Sequence, residues 1–192
     1  MGETQQNRLK KVVFLDRDGT INRDSHAYIK SWEEFEFIPG SLEAIKALTT
    51  NGFVNIVITN QSAVPRKLIS LKDLEFVHNM MMQTVASSGG EIKDVFYCPH
   101  MPGDDCDCRK PEPGLIYQAQ KKYGIDLTTA VMVGDSAKDI ECARRAGCGT
   151  VVLVKSGKED DVASVLKARK IRVDYVAKDL YEAAEWILES HS

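Results

Sequence analysis

The chain has 192 residues, 43% hydrophobic and 28% charged, with a formal net charge of −3. That size suits one domain (1–192) with a sizeable core, and the slight acidity disfavours a nucleic-acid-binding or membrane-surface protein, which needs a basic face. No apolar run reaches the roughly 20 residues of a membrane span; residues 1–10 read as a loose polar tail without the apolar core of a secretory leader, so a cytoplasmic location is expected.

Lys11 to Leu15 predicts a short buried strand that delivers two acids, Asp16 and Asp18, to its end. Ser41 to Thr50 repeats apolar residues at Leu42, Ile45 and Leu48, a helical face, and stops at Asn51-Gly52. A second strand spans Val54 to Thr59. A helix follows from Leu71 to Ser87, ended by Gly89-Gly90, and a third strand from Asp94 to Cys98. Beyond a loop rich in Cys, Pro and Gly, a helix over Gly114 to Tyr123 ends at Gly124. A fourth strand, Ala130 to Val133, meets Gly134-Asp135. Helix Ser136 to Ala146, strand Thr150 to Val154, a solvated helical segment within Lys155 to Lys170, a short strand Asp174 to Val176 and a closing helix Leu180 to Leu188 complete the chain. Such alternation predicts an α/β fold, a doubly wound, Rossmann-like parallel sheet. His26 and His78 read as surface or helix histidines, and Met80-Met81-Met82 as packing.

Ligands of open α/β sheets bind beyond the carboxyl ends of the strands. Those ends carry Asp16 and Asp18, Thr59-Asn60-Gln61-Ser62, and Gly134-Asp135. Asp16 and Asp18 lie two apart, so an extended backbone points them the same way; a solvated turn is the competing explanation of Asp-x-Asp-Gly-Thr. A strand-end Asp can attack phosphorus and form an aspartyl-phosphate. Mg2+ takes one or two carboxylates, here Asp16 and Asp135. Asp18 suits proton transfer to the leaving alkoxide and from water, and Thr59 suits a phosphoryl oxygen. Lys110, in Cys108-Arg109-Lys110-Pro111, is the candidate for a further positive charge; alone it would read as a surface lysine.

Asp16-Arg17-Asp18-Gly19-Thr20, Ile58-Thr59-Asn60, Arg109-Lys110-Pro111 and Gly134-Asp135-Ser136-x-x-Asp139-Ile140, in this order, resemble the haloacid dehalogenase (HAD) superfamily of phosphohydrolases. The resemblance spans about Val12 to Val154. It implies Asp16 as nucleophile, Asp18 as general acid/base, Thr59 and Lys110 as phosphoryl stabilisers, Mg2+ on Asp16, the Asp18 carbonyl and Asp135, and Asp139 as a supporting acid. A binding module on an inactive phosphatase fold and a phosphoacceptor domain are the competing classes. Asp16 and Asp18 are both present, which opposes the first, and the second acid favours hydrolysis over the other.

Cys98, His100, Cys106 and Cys108 place three thiols and an imidazole within the loop 98–108. That set matches a closed tetrahedral Zn2+ site, which would order a loop too polar to pack by itself; redox-active or incidental thiols are the alternative. Four protein ligands leave no open position, so the zinc would be structural. Cys142 and Cys148 read as small buried fillers. The Cys-x-His…Cys-x-Cys-Arg-Lys-Pro segment resembles the heptose-bisphosphate phosphatases and the similar histidinol-phosphate phosphatases, in which a zinc loop stands in for a large cap domain. This implies a small phosphorylated metabolite, a sugar bisphosphate ahead of histidinol phosphate, as substrate, and a monomer is favoured. Arg109 would meet the substrate's far phosphate, and Asp24, Tyr28, Asn60, Gln61 and Ser62 would line the pocket. Ala63-Val64-Pro65-Arg66-Lys67 replaces the Gly-Ile-Ala-Arg-Gly usual in the heptose enzymes, a departure that falls where substrate is chosen.

Overall fold

The computed structural model describes residues 9–158 and 161–191. Six strands, β1 (Val12–Leu15), β2 (Val54–Asn60), β3 (Ile92–Cys98), β4 (Val131–Gly134), β5 (Thr150–Val154) and β6 (Tyr175–Ala177), form one sheet in the order β3-β2-β1-β4-β5-β6. Every neighbouring pair is parallel. Helices α1 (Ser41–Thr50), α2 (Leu71–Ser87), α3 (Gly114–Tyr123), α4 (Ala137–Ala146), α5 (Val162–Ala168) and α6 (Leu180–Ser190) cover both faces.

Strand β1 is central and fully buried, and its four residues alternate between two cores. Val12 and Phe14 pack with residues of α3, α4 and α5. Val13 and Leu15 pack with residues of α1, α2 and α6. A side chain buried in this way contributes roughly 1.5–3 kcal/mol relative to exposure, so the strand that presents Asp16 and Asp18 is firmly anchored. The strand order reverses between β1 and β4, where Leu15 pairs with Val133 and the Asp16 amide donates to the Val133 carbonyl at 3.0 Å. A reversal of this kind opens a crevice at the strand ends. Asp16 and Asp135 therefore emerge side by side.

Among the described residues, no large cap covers the crevice. The connections that could carry one are 16–40, 61–70 and 99–113, each too short for a separate domain; the first holds a 3-10 turn (Trp32–Glu34) and a stacked Trp32–Phe35 pair. Helix starts follow the caps their sequences offer. Ser70 accepts from the Asp73 amide, and Ser136 with Asp139 forms a capping box.

Tertiary packing revises two expectations and sharpens a third. Leu9, assigned to the loose tail, bridges Ile125 and bonds Gly124 and Asp126, while residues 1–8 lie outside the described ones. The solvated segment 155–170 contains α5, whose Val162 and Leu166 are buried against the core. His78 is a helix residue, one of the two placements expected, and it is buried within α2, because it shares a helical face with Leu74 and Met81.

Candidate active site

The ends of β1, β2 and β4, together with the loops after β1 and β3, enclose a cavity of about 330 Å3. Asp16, Asp18, Asp24, Tyr28, Thr59, Asn60, Gln61, Arg109, Lys110, Asp135 and Asp139 all line it. Ser62 is buried and is not among the lining residues.

Lys110 is the hub. It is 3% exposed, and its ammonium donates to Asp16 Oδ1 at 2.6 Å and the Ile58 carbonyl at 2.8 Å, with Asp139 Oδ1 at 2.5 Å. The first two contacts are hydrogen bonds and the third is an ion pair. Burial alone would lower its pKa, but Asp139 and Asp16 hold the ammonium well above the usual lysine range. Asn60 clamps the Lys110 backbone from both sides, its Oδ1 accepting from the Lys110 amide and its Nδ2 donating to the Lys110 carbonyl. Asn60 thus meets the cavity as a brace for Lys110.

Asp18 sits in a different environment. Its Oδ1 accepts from Arg17 Nε and Nη2 at 3.1 and 2.8 Å and from Asn22 Nδ2 at 3.0 Å, and its Oδ2 accepts from Gln61 Nε2 at 2.9 Å. Burial would raise its pKa, yet the Arg17 guanidinium and these donors hold it below the ordinary carboxylate value. Gln61 also donates to Thr59 Oγ1 at 3.0 Å, tying the end of β2 to Asp18.

Burial pushes Asp16 up to about 7 even though Lys110 opposes the shift. Burial, and then the charges of Asp139 and Asp16, push Asp135 up to about 9. Three carboxylates here share one ammonium among the described residues, and their oxygens lie within 4.8 Å of one another. This excess of buried negative charge in an all-oxygen donor set fits Mg2+. Asp139 is engaged by Lys110 and by the α4 cap, where its Oδ2 accepts from the Ser136 amide and hydroxyl. Asp16 and Asp135 are the better placed ligands. Room for Asp135 comes from Gly19 and Gly157, since a Cβ on either would overlap its carboxylate; Ser156 Oγ donates to the Gly19 carbonyl at 2.7 Å and fastens that loop.

The ligand atoms of Cys98, His100, Cys106 and Cys108 converge within 4.8 Å of one another. A tetrahedron with Zn–S bonds of about 2.3 Å has S···S edges near 3.8 Å; the Cys98–Cys106 edge is 3.9 Å. The His100 Nδ1 edges to Cys98 and Cys108 are 3.5 and 3.2 Å. The set fits Zn2+. Arg109 donates to the His100 carbonyl at 3.0 Å, so the same loop positions a cation at the cavity.

Sequence reasoning missed several contributors. Arg17 and Asn22 are buried behind Asp18, and His26 and Lys138 line the cavity. His78 was legible in principle, since the spacing of Leu74, His78 and Met82 puts it on the apolar stripe of α2. Lys138 stands in the first turn of α4, where a cation opposes the helix dipole.

Known proteins agree with this architecture. Residues 107–183 match the HAD-hydrolase-like family model. The chain is 47% identical over 149 residues to the D-glycero-beta-D-manno-heptose-1,7-bisphosphate 7-phosphatase of Pseudomonas aeruginosa, covering 78% of this chain and 83% of that protein. It is 37% identical over 179 residues to the enzyme of the same name from Bordetella bronchiseptica, covering 93% and 98%. The crystal structure of D,D-heptose 1,7-bisphosphate phosphatase from B. bronchiseptica, complexed with magnesium and phosphate, superposes with a TM-score of 0.85 at 38% identity, covering 94% of this chain and 99% of that one. With overall sequence and fold in accord, the chain belongs to the heptose-1,7-bisphosphate 7-phosphatase family of HAD-like hydrolases.

Proposed function

We propose that this protein is a Mg2+-dependent phosphomonoesterase that removes the 7-phosphate of D-glycero-β-D-manno-heptose 1,7-bisphosphate through an aspartyl-phosphate. The observation that carries the reading is the 2.6 Å pairing of Asp16 with Lys110 in a cavity also lined by Asp18, Thr59 and Asp135. Relatives named for that activity indicate the substrate.

A carboxylate oxygen of Asp16 bonds to phosphorus as the bond from phosphorus to the sugar oxygen breaks. Lys110 orients Asp16 and, with the Thr59 hydroxyl, offsets negative charge on the phosphoryl oxygens. Asp18, once protonated, gives its proton to the departing alkoxide. It then takes one from the water that splits the aspartyl-phosphate and frees inorganic phosphate. Asp16, the Asp18 carbonyl and Asp135 would hold Mg2+, which when bound supplies charge neutralisation and alignment of the phosphoryl group. Asp139 supports the site through Lys110, and Gln61 through Asp18 and Thr59.

Arg109 and Lys138 give the cavity two cations for the 1-phosphate, while Asp24 and His26 suit sugar hydroxyls and Tyr28 forms a wall. Cations in the cavity oppose histidinol phosphate, which carries an ammonium and an imidazole in place of a second phosphate. The reduced thiols of the zinc set suit the cytoplasm. One chain supplies every catalytic group, so a monomer suffices. Phosphate release from the heptose bisphosphate, histidinol phosphate and 4-nitrophenyl phosphate tests the assignment. The bisphosphate should lead in kcat/KM by about tenfold or more, with the 1-phosphate retained in the product by phosphorus NMR. Preference for histidinol phosphate would replace the substrate.

A further inference from the structure

Arg17 lies between the two strand-end acids and is 1% exposed. A guanidinium keeps its charge and offers only N–H donors. Its Nε and Nη2 face Asp18 Oδ1, while Nη1 meets His78 Nε2 at 3.1 Å. Because Arg17 can only donate, that imidazole nitrogen is the acceptor. His78 is buried in the middle of α2, is not among the cavity-lining residues, and lies 5.6 Å from the Tyr97 ring of β3 by centroids.

We propose that His78 is a positioning residue for the acid–base step, accepting from Arg17 Nη1 so that the opposite edge of the guanidinium stays turned onto Asp18. The inference rests on the reading of Asp18 as general acid and extends it to a residue outside every motif of the site. Three donor side chains aim the Asp18 carboxylate. Asn22 and Gln61 reach it directly, and Arg17 reaches it as a rigid plane that a second hydrogen bond orients from behind. If His78 cannot accept, a buried N–H of Arg17 has no partner, and the plane can turn to seek one, taking Asp18 with it.

The test is the dependence of kcat/KM on leaving group over a series of aryl and alkyl phosphates, because kcat/KM contains only steps up to leaving-group departure. General acid assistance matters little for 4-nitrophenyl phosphate and most for phenyl and alkyl phosphates. In His78→Leu and in the shorter His78→Asn, kcat/KM should fall by about tenfold or more on poor leaving groups, within the span that general acid catalysis supplies, and by a few-fold at most on 4-nitrophenyl phosphate. His78→Gln, whose side-chain oxygen can accept from Arg17, should restore the wild-type slope. Should His78→Leu not fold, the Asn and Gln pair carries the comparison. A uniform loss across the series, or failure of Gln to restore the slope, overturns the proposal. Asp18→Asn is the control. A steepened slope there with an unchanged one in the His78 variants refutes only the role of His78, whereas an unchanged slope in Asp18→Asn refutes the acid assignment itself and the proposal with it.

Discussion

Asp16 Oδ1 and Lys110 Nζ meet at 2.6 Å although 94 residues separate them in the chain. The nucleophile candidate comes from the central strand and its cation from the loop that follows the cysteine cluster. The latter is held by Asn60 and by the Ile58 carbonyl of β2. Three segments must therefore register before the site exists.

Lys110→Met should reduce kcat by at least about 100-fold, in the range expected for loss of a charge-stabilising donor. It also leaves Asp16, Asp139 and Asp135 without their ammonium. Breaking a buried pair by removing one partner costs about 3–5 kcal/mol, which urea denaturation would register. Asp16→Asn should abolish turnover while keeping the fold, and mass spectrometry should no longer trap a phosphorylated protein.

Gly157→Ala probes the metal site without substituting a ligand. The new methyl overlaps the Asp135 carboxylate, so Asp135 must shift. The Mg2+ concentration for half-maximal rate should rise by about 10–100-fold, the range seen when the support of a metal ligand is disturbed. An unchanged Mg2+ requirement would argue against Asp135 as a ligand.

Zinc analysis of protein purified under reducing, chelator-free conditions should give about one Zn2+ per chain. Cys106→Ser should lose that metal and lower the thermal midpoint. Activity on the bisphosphate should fall as well, because Arg109 is tied to the His100 carbonyl of the same loop.

Arg109→Ala should raise KM for the bisphosphate by about tenfold or more, as expected when a charge-assisted hydrogen bond is removed. It should change 4-nitrophenyl phosphate kinetics little. Equal losses on both substrates would remove Arg109 from recognition of the far phosphate.

Burial, and then the neighbouring Arg17 charge, drive His78 down to about 3 from an ordinary 6.5. The unfolded chain therefore binds a proton below pH 6.5 that the folded one refuses. The resulting stability is present above pH 6.5 and is lost as pH falls through the window down to 3, with a slope of at most about 1.4 kcal/mol per pH unit from this group. His78→Gln has no such proton to bind, and its urea-derived stability should fall less steeply between pH 6.5 and 4.

The elements and the candidate site residues were legible in the sequence, because both were written locally. Strand-end acids, glycine stops and a thiol set confined to residues 98–108 need no knowledge of distant neighbours. Helices Ser41–Thr50, Leu71–Ser87 and Gly114–Tyr123 ended where caps and glycines dictate. Tertiary structure alone decided what each polar group touches. Asn60 became a brace for Lys110, Ser62 fell outside the cavity lining, and Asp139 took up both the α4 cap and the Lys110 ammonium. Arg17 and His78 were joined across 61 residues by the packing of α2 on the sheet. Periodicity names the face a residue occupies, but the register between a helix and the sheet selects its partner. In a buried site that partner decides whether a charge is neutralised, held or moved.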